Sequence, residues 1–100
     1  MPNIQVIIPA FNEEKSIAKV IHAIPSIVTE IIVVNNNSTD ATVQEAETAG
    51  ATVLTENRPG YGFACLKGMS YIAQKKEQPD IVVFLDGDYS DYPEDLQDLV

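Results

Sequence analysis

Cationic side chains are scarce in this chain. Six lysines and arginines stand against fifteen aspartates and glutamates, a formal net charge of -9. A nucleic-acid backbone or an anionic membrane surface is itself a polyanion, so no nucleic-acid partner is expected, and a divalent cation is the better-matched ligand. Cysteine is rarer still: Cys65 stands alone, which excludes an internal disulfide and a cysteine metal cluster. No apolar run approaches the roughly 20 residues needed to span a bilayer, and the start lacks the basic-then-apolar layout of a secretory signal. A cytoplasmic setting is expected, or the cytoplasmic face of a membrane in a longer parent. Phosphate-binding glycine patterns are missing too. Pro9-Ala10-Phe11-Asn12-Glu13-Glu14 stands where a dinucleotide site would carry G-x-G-x-x-G, and Gly60-Tyr61-Gly62 is not followed by Gly-Lys-Ser/Thr. Both observations argue against NAD, FAD and P-loop chemistry.

What is present suits one globular domain: 100 residues, of which 45% are apolar. Asn3 to Ile8 reads as a strand that Pro9 ends, because proline cannot donate to the ladder. Ile17, Val20, Ile21 and Ile24 then fall at helical spacing, with Pro25 as a stop and Glu13 and Glu14 in the first turn. Glu30 to Val34 is apolar on both faces, as a parallel strand covered by helices should be. The polar turn Asn35-Asn36-Asn37-Ser38-Thr39-Asp40 leads to a helix over 41–49 with Gly50 as its left-handed stop. A weaker strand follows over 51–54. The loop 56–62 opens a longer helix with Cys65, Leu66, Met69, Ile72 and Ala73 on one side and Lys75 and Lys76 in its last turn. Ile81 to Leu85 is the fourth strand, and it runs into Asp86, Asp88 and Asp91.

This alternation predicts an α/β, Rossmann-like parallel sheet in the order 3-2-1-4 with helices on both faces. That order brings the turns at 9–14, 35–40 and 86–91 together along the carboxyl ends of the strands. Asp86-Gly87-Asp88 can offer hard oxygen ligands to Mg2+ or Mn2+, with a solvated acidic turn as the plainer reading. Asn35 and Asn36 can meet a nucleobase edge or simply cap the next helix. Arg58 can pair with a diphosphate or with Asp40. Cys65 and Met69 read as core, and His22 as a surface residue or a complement to a helix carboxyl end.

Together, Ile7-Ile8-Pro9-Ala10-Phe11-Asn12-Glu13-Glu14, the run from Ile31 to Thr42, Gly60-Tyr61-Gly62 and Asp86-Gly87-Asp88 resemble the amino-terminal part of a family 2 glycosyltransferase with the GT-A fold. The polyprenyl-phosphate and dolichol-phosphate sugar transferases are the nearest in style. The resemblance covers essentially the whole chain and implies that 1–100 is the nucleotide-sugar-binding half of such a domain. It implies that Pro9, Ala10, Phe11 and Glu13 border the nucleotide, that Asn36 takes the base-recognising place, and that Asp86 and Asp88 hold a divalent metal on the sugar-nucleotide diphosphate. Ser90 stands where some relatives place another metal-side polar group. One departure is visible: the second turn reads Asn35-Asn36 where Asp-Asp is common. The implied partners are a nucleotide-diphosphate sugar and an acceptor such as a lipid phosphate, and the implied reaction is metal-dependent, inverting sugar transfer.

Pro93 to Val100 starts like a helix and stops without a cap, the pattern expected of a domain truncated at its carboxyl end. The isolated segment is accordingly expected to be inactive. The alternative is a non-catalytic nucleotide-binding or self-associating module, a homo-oligomer formed through an exposed sheet edge.

Overall fold

A computed structural model describes residues 2–87. The strands β1 (Ile4–Ala10), β2 (Glu30–Asn35), β3 (Thr52–Thr55) and β4 (Ile81–Phe84) alternate with the helices α1 (Ile17–Ala23), α2 (Thr42–Thr48) and α3 (Tyr61–Ala73). They form a four-stranded sheet in the order β3-β2-β1-β4. All pairings are parallel, with Ile7 opposite Ile32 on one side and Phe84 on the other. The predicted order and the α/β class therefore hold.

Period-two alternation in the central strands divides the core into two. Val6, Ile8 and Ala10 of β1 and Val33 of β2 pack on Ile17, Val20, Ile21 and Ile24 at α1 and on Ala46 of α2. Ile7, Ile32 and Val34 point the other way, onto Ala64 and Ile72 of α3. Each fully buried Val or Ile contributes about 1.5–3 kcal/mol, so the two central strands carry most of the hydrophobic stabilisation. Pre-proline sterics end α1: Ile24 is already extended, with ψ of 130°. Gly50, at φ of 99°, ends α2, and the Ala51 N–H reaches back to the Ala46 carbonyl at 3.1 Å.

Several expectations are corrected. Pro9 does not end β1 but lies within it, opposite Val34. The Ala10 carbonyl accepts from Asn36 toward β2, whereas the Ile7 carbonyl accepts from Leu85 toward β4. Backbone groups of alternate residues face opposite neighbours, so the missing Pro9 N–H falls on the β4 side, past the last paired position, Ile7 with Phe84. Glu13 and Glu14 precede α1 and are not in its first turn, because a tight turn, closed by the Ser16 and Ile17 N–H groups on the Glu13 carbonyl, comes first.

The buried stripe of α3 is Ala64, Gly68 and Ile72, whereas Leu66 and Met69 are 61% and 42% exposed. Cys65 is half-buried and Ala73 exposed. The cause is close approach: a Cβ on Gly68 would stand 2.8 Å from Ile7 Cγ2, so α3 lies too near β1 for a large side chain between them. Lys75 and Lys76 lie beyond the end of α3. Lys75 pairs with Glu30 at 2.7 Å, and Glu30 also accepts from Tyr71 and Thr52. Burial works to raise the Glu30 pKa, but these donors outweigh it and hold the carboxyl below its ordinary value.

Candidate functional site

The turns that follow the strands are tied to one another in the order of the sheet. The Asn12 N–H donates to Ser38 Oγ at 2.9 Å, and Asn12 Oδ1 accepts from the Thr39 N–H at 2.8 Å. The Glu13 N–H donates to Thr42 Oγ1 at 2.8 Å and the Glu14 N–H to Asp40 Oδ2 at 3.3 Å. Asp40 also accepts from the Thr42 N–H and hydroxyl, satisfying an orphan donor at the start of α2. Burial alone would raise its pKa; the hydrogen bonds from Thr42 and Glu14 lower it overall. On the far side, Ser16 Oγ donates to the Gly87 carbonyl at 2.6 Å. Asn12 and Asn37 adopt left-handed backbone, at φ of 52° and 67°, which asparagine tolerates better than most residues.

Between these turns lies a cleft of about 290 Å3 lined by Pro9, Ala10, Phe11, Glu13, Asn36 and Asp86, with Tyr61, Ala64 and Gly87 completing the wall. Its size is at the low end for small-molecule sites. Pro9, Ala10, Phe11, Glu13, Asn36 and Asp86, the described residues that the resemblance implies for the nucleotide and its metal, thus converge on one concavity at the carboxyl ends of the strands, where open parallel sheets bind ligands. Phe11 and Tyr61 are 58% and 57% exposed, two aromatic faces offered to the cleft. A second hollow of about 340 Å3 adjoins the first and shares Phe11, Asn36 and Tyr61 with it. Space at Gly87 is tight: a Cβ there would meet Glu13 Cγ at 3.3 Å and Ile17 Cδ1 at 3.4 Å, so a larger residue requires those side chains to give by a few tenths of an ångström.

Sequence reasoning did not foresee how the loop 56–60 is built. Arg58 pairs with neither Asp40 nor an open anion site. It forks onto Glu56, with Nη2 to Oε1 at 2.9 Å and Nε to Oε2 at 3.0 Å, and stacks over the Phe63 ring. This bidentate partner, helped by the Arg58 N–H, lowers the Glu56 pKa from 4.5 to about 2. The Asn36 amide closes the loop from the β2 side, donating to the Glu56 and Arg58 carbonyls and accepting from the Gly60 N–H. Gly60 holds φ of 122° and ψ of 146°, a region essentially restricted to glycine. Asn35, by contrast, is buried and accepts from the Ser38 N–H, so its side chain shapes the turn. The Gly-Tyr-Gly spacing and the adjacent Glu and Arg were the available signals for this wall.

Asp88, Ser90 and Asp91 lie outside the described residues, so the expected metal pair is represented by Asp86 alone. Asp86 is exposed at the end of β4 and faces the cleft beside Glu13. Among the described residues no group of three or more His, Cys, Asp or Glu side chains gathers in a metal-ligating cluster. Mg2+-type ions are commonly held by one or two carboxylates together with substrate phosphates, so the oxygen donors present fit such an ion. No helix among the described residues is long and apolar enough to cross a membrane.

A parallel sheet with helices on both faces and a cleft over its carboxyl edge defines the class of nucleotide-binding α/β proteins. Within that class, residues 5–100 match the sequence model of Glycosyl transferase family 2, and the chain belongs to that family. It is 43% identical over 88 residues to protein RfbJ of Shigella flexneri, covering 86% of this chain and 64% of that protein. An uncharacterised glycosyltransferase of Mycobacterium tuberculosis is 40% identical over 97 residues, covering 97% of this chain and 42% of the relative. Among solved structures, glucosyl-3-phosphoglycerate synthase of M. tuberculosis in complex with UDP superposes with a TM-score of 0.80 at 33% identity. That match covers 96% of this chain and 38% of the synthase. The chain therefore spans under two thirds of the length of each of these relatives.

Proposed function

We propose that this chain is the donor-binding half of a metal-dependent, inverting glycosyltransferase that moves a sugar from a nucleotide diphosphate to an acceptor. The observation that carries the reading is the convergence of Pro9, Ala10, Phe11, Glu13, Asn36 and Asp86 on one cleft. The synthase that this chain resembles has been solved with Mn2+, UDP and glucosyl-3-phosphoglycerate, and also with Mg2+ and UDP, which supports a nucleoside diphosphate and a divalent ion as ligands.

Cleavage of the bond between sugar and diphosphate leaves negative charge on the departing phosphate. A divalent ion held by Asp86, and by Asp88 as the resemblance implies, would stabilise that charge electrostatically. The chain's own residues bind and orient. Phe11 and Tyr61 offer flat apolar faces, and α3 begins at the cleft without a side-chain cap, so its positive end suits an anionic ligand. Calorimetric titration with UDP-sugars and GDP-mannose in the presence of Mn2+ tests the reading. Saturable binding is expected, and no heat with any nucleotide from a demonstrably folded sample would overturn it.

For the acceptor, a polyprenyl phosphate is what the sequence resemblance implies. Such an acceptor is already anionic and needs no general base. The phosphoglycerate of the neighbouring synthase is the rival, and offering both acceptors in one assay separates them by whether labelled sugar partitions into solvent or stays in water. A self-associating module is the reading from a different class. It is favoured by β4, which ends the described sheet and leaves Phe84 40% exposed. A strictly monomeric species in light scattering removes it.

A further inference from the structure

The formal charge of -9 hides an uneven distribution. Between Asn57 and Lys76 the sequence holds four of the six cationic residues, Arg58, Lys67, Lys75 and Lys76, and no aspartate or glutamate. This stretch folds into the loop before α3, α3 itself and the turn after it. Ala64, Gly68 and Ile72 face the sheet, so the opposite side of the helix carries Phe63, Leu66, Met69 and Ala73. Phe63 is 40%, Leu66 61% and Met69 42% exposed. The strip continues past the start of α3 into a hollow of about 570 Å3 lined by Pro59, Gly60, Gly62, Phe63 and Leu66. Cations stand around it. Arg58 stacks on the Phe63 ring at one end, Lys67 flanks the strip on the side of Leu54 and Tyr71, and Lys76 is exposed past the other end. Lys67 and Lys76 form no ion pair among the described residues, whereas the Glu56 and Glu30 carboxylates at the margins are already held by Arg58 and Lys75.

We propose that the outer face of α3 docks on an anionic lipid bilayer, with the helix lying in the plane of the interface. Charge complementarity selects this partner. A second copy of the chain, packed strip to strip, would set Lys67 against another lysine with no acid on the strip to pair either. An anionic bilayer satisfies both parts of the surface: Phe63, Leu66 and Met69 enter the acyl boundary, while the lysine stems lie along it and their ammonium groups reach the headgroup phosphates. The acidic remainder of the chain does not prevent this. Glu45 and Glu47 sit on α2, which packs on the other face of the sheet, and salt screens exposed charges over about 10 Å. Docking also has a consequence for the cleft. Pro59 and Gly60 line both the hollow on the strip and the hollow that adjoins the cleft, so the cleft mouth would open beside the headgroups. The proposal stands on the surface alone and does not depend on what the cleft binds.

The test is flotation of the full chain with vesicles of phosphatidylcholine alone and of phosphatidylcholine and phosphatidylglycerol in equal parts, at low and high salt. Partition is expected into the anionic vesicles only, and high salt should reverse it. Lys67→Gln and Lys76→Gln should each lower the partition coefficient roughly fivefold, the factor for one lysine near an anionic surface. The double variant Leu66→Gln with Met69→Gln should lower it by at least about tenfold, because two apolar side chains no longer leave water. All four side chains are exposed, so melting temperatures should match that of the wild-type chain. Absence of partition into anionic vesicles overturns the proposal, as does equal partition into neutral ones or partition that these variants leave unchanged. Self-association without lipid, dispersed by the Leu66 and Met69 substitutions, assigns the strip to a second copy and overturns it as well. UDP titration of the same samples keeps the two readings apart: vesicle binding lost with UDP affinity intact strikes the docking alone.

Discussion

Ser16 and Gly87 are 71 positions apart, and the Ser16 hydroxyl donates to the Gly87 carbonyl at 2.6 Å. The bond joins the turn after β1 to the turn after β4, across the point where the chain order of the sheet reverses. Gly87 follows Asp86 directly, so the same bond steadies the carboxylate that faces the cleft.

Ser16→Ala is therefore expected to do more than remove one hydrogen bond worth about 1 kcal/mol. Thermal melts should show a fall of several degrees, in the range of about 4–8 °C per kcal/mol for a domain of this size. Calorimetry with UDP and Mn2+ should show weaker binding as well. A loss of stability with unchanged affinity would mean that the tie is structural only.

Gly68 offers a test in which two effects have opposite signs. Alanine is favoured over glycine within a helix by about 1 kcal/mol. Yet the new Cβ would stand 2.8 Å from Cγ2 and 3.0 Å from Cδ1 of Ile7, a fully buried residue of a central strand. Overpacking of this kind costs about 1–3 kcal/mol. Gly68→Ala should thus be net destabilising in urea denaturation, whereas a stabilised variant would show that α3 can lift away from β1.

The same glycine marks where the sequence ceases to be legible. Apolar residues at Ile31 to Val34, between two helical stripes, were sufficient to place a central parallel strand, and the order 3-2-1-4 followed once the mononucleotide-binding arrangement was taken for the alternating elements. For α3 the apolar pattern pointed to Leu66 and Met69, because hydrophobicity records which side chains avoid water and not how closely two backbones approach. Likewise Pro9 was legible as a missing donor, but which neighbour would have needed that donor depends on register. Polar turns at one sheet edge were legible from the residues, whereas Pro9, Ala10, Phe11, Glu13 and Asn36 were singled out by the resemblance to family 2 glycosyltransferases. The loop closure by Asn36 was not legible, since its partners are backbone groups of a loop 20 to 24 residues further on.

Acid should act on the loop wall through Glu56. Its folded pKa lies near 2, below the ordinary 4.5, because the Arg58 fork favours the carboxylate. The stability it contributes is present above about pH 4.5 and is lost as pH falls from there toward 2. Glu56→Gln removes that linkage. The variant should be less stable at neutral pH and show a shallower decline between pH 4.5 and 2, measured as urea midpoints across that range. Parallel pH curves for the two proteins would exclude the fork as a contributor.

Ligand linkage separates the metal role of Asp86 from a structural one. A ligand that binds only the folded chain adds about 2.7 kcal/mol at 100 times its dissociation constant. With UDP and Mn2+ present, the wild-type chain should gain about that much, read as a rise in melting temperature. Asp86 is exposed at the end of β4, so Asp86→Asn should fold normally. Its carboxamide is a poorer ligand for a hard cation, and most of the Mn2+-dependent gain should vanish while the smaller gain with UDP alone is kept. An identical Mn2+ effect in both proteins would remove Asp86 from the metal site, whereas loss of the UDP-only gain would place its main contact on the nucleotide.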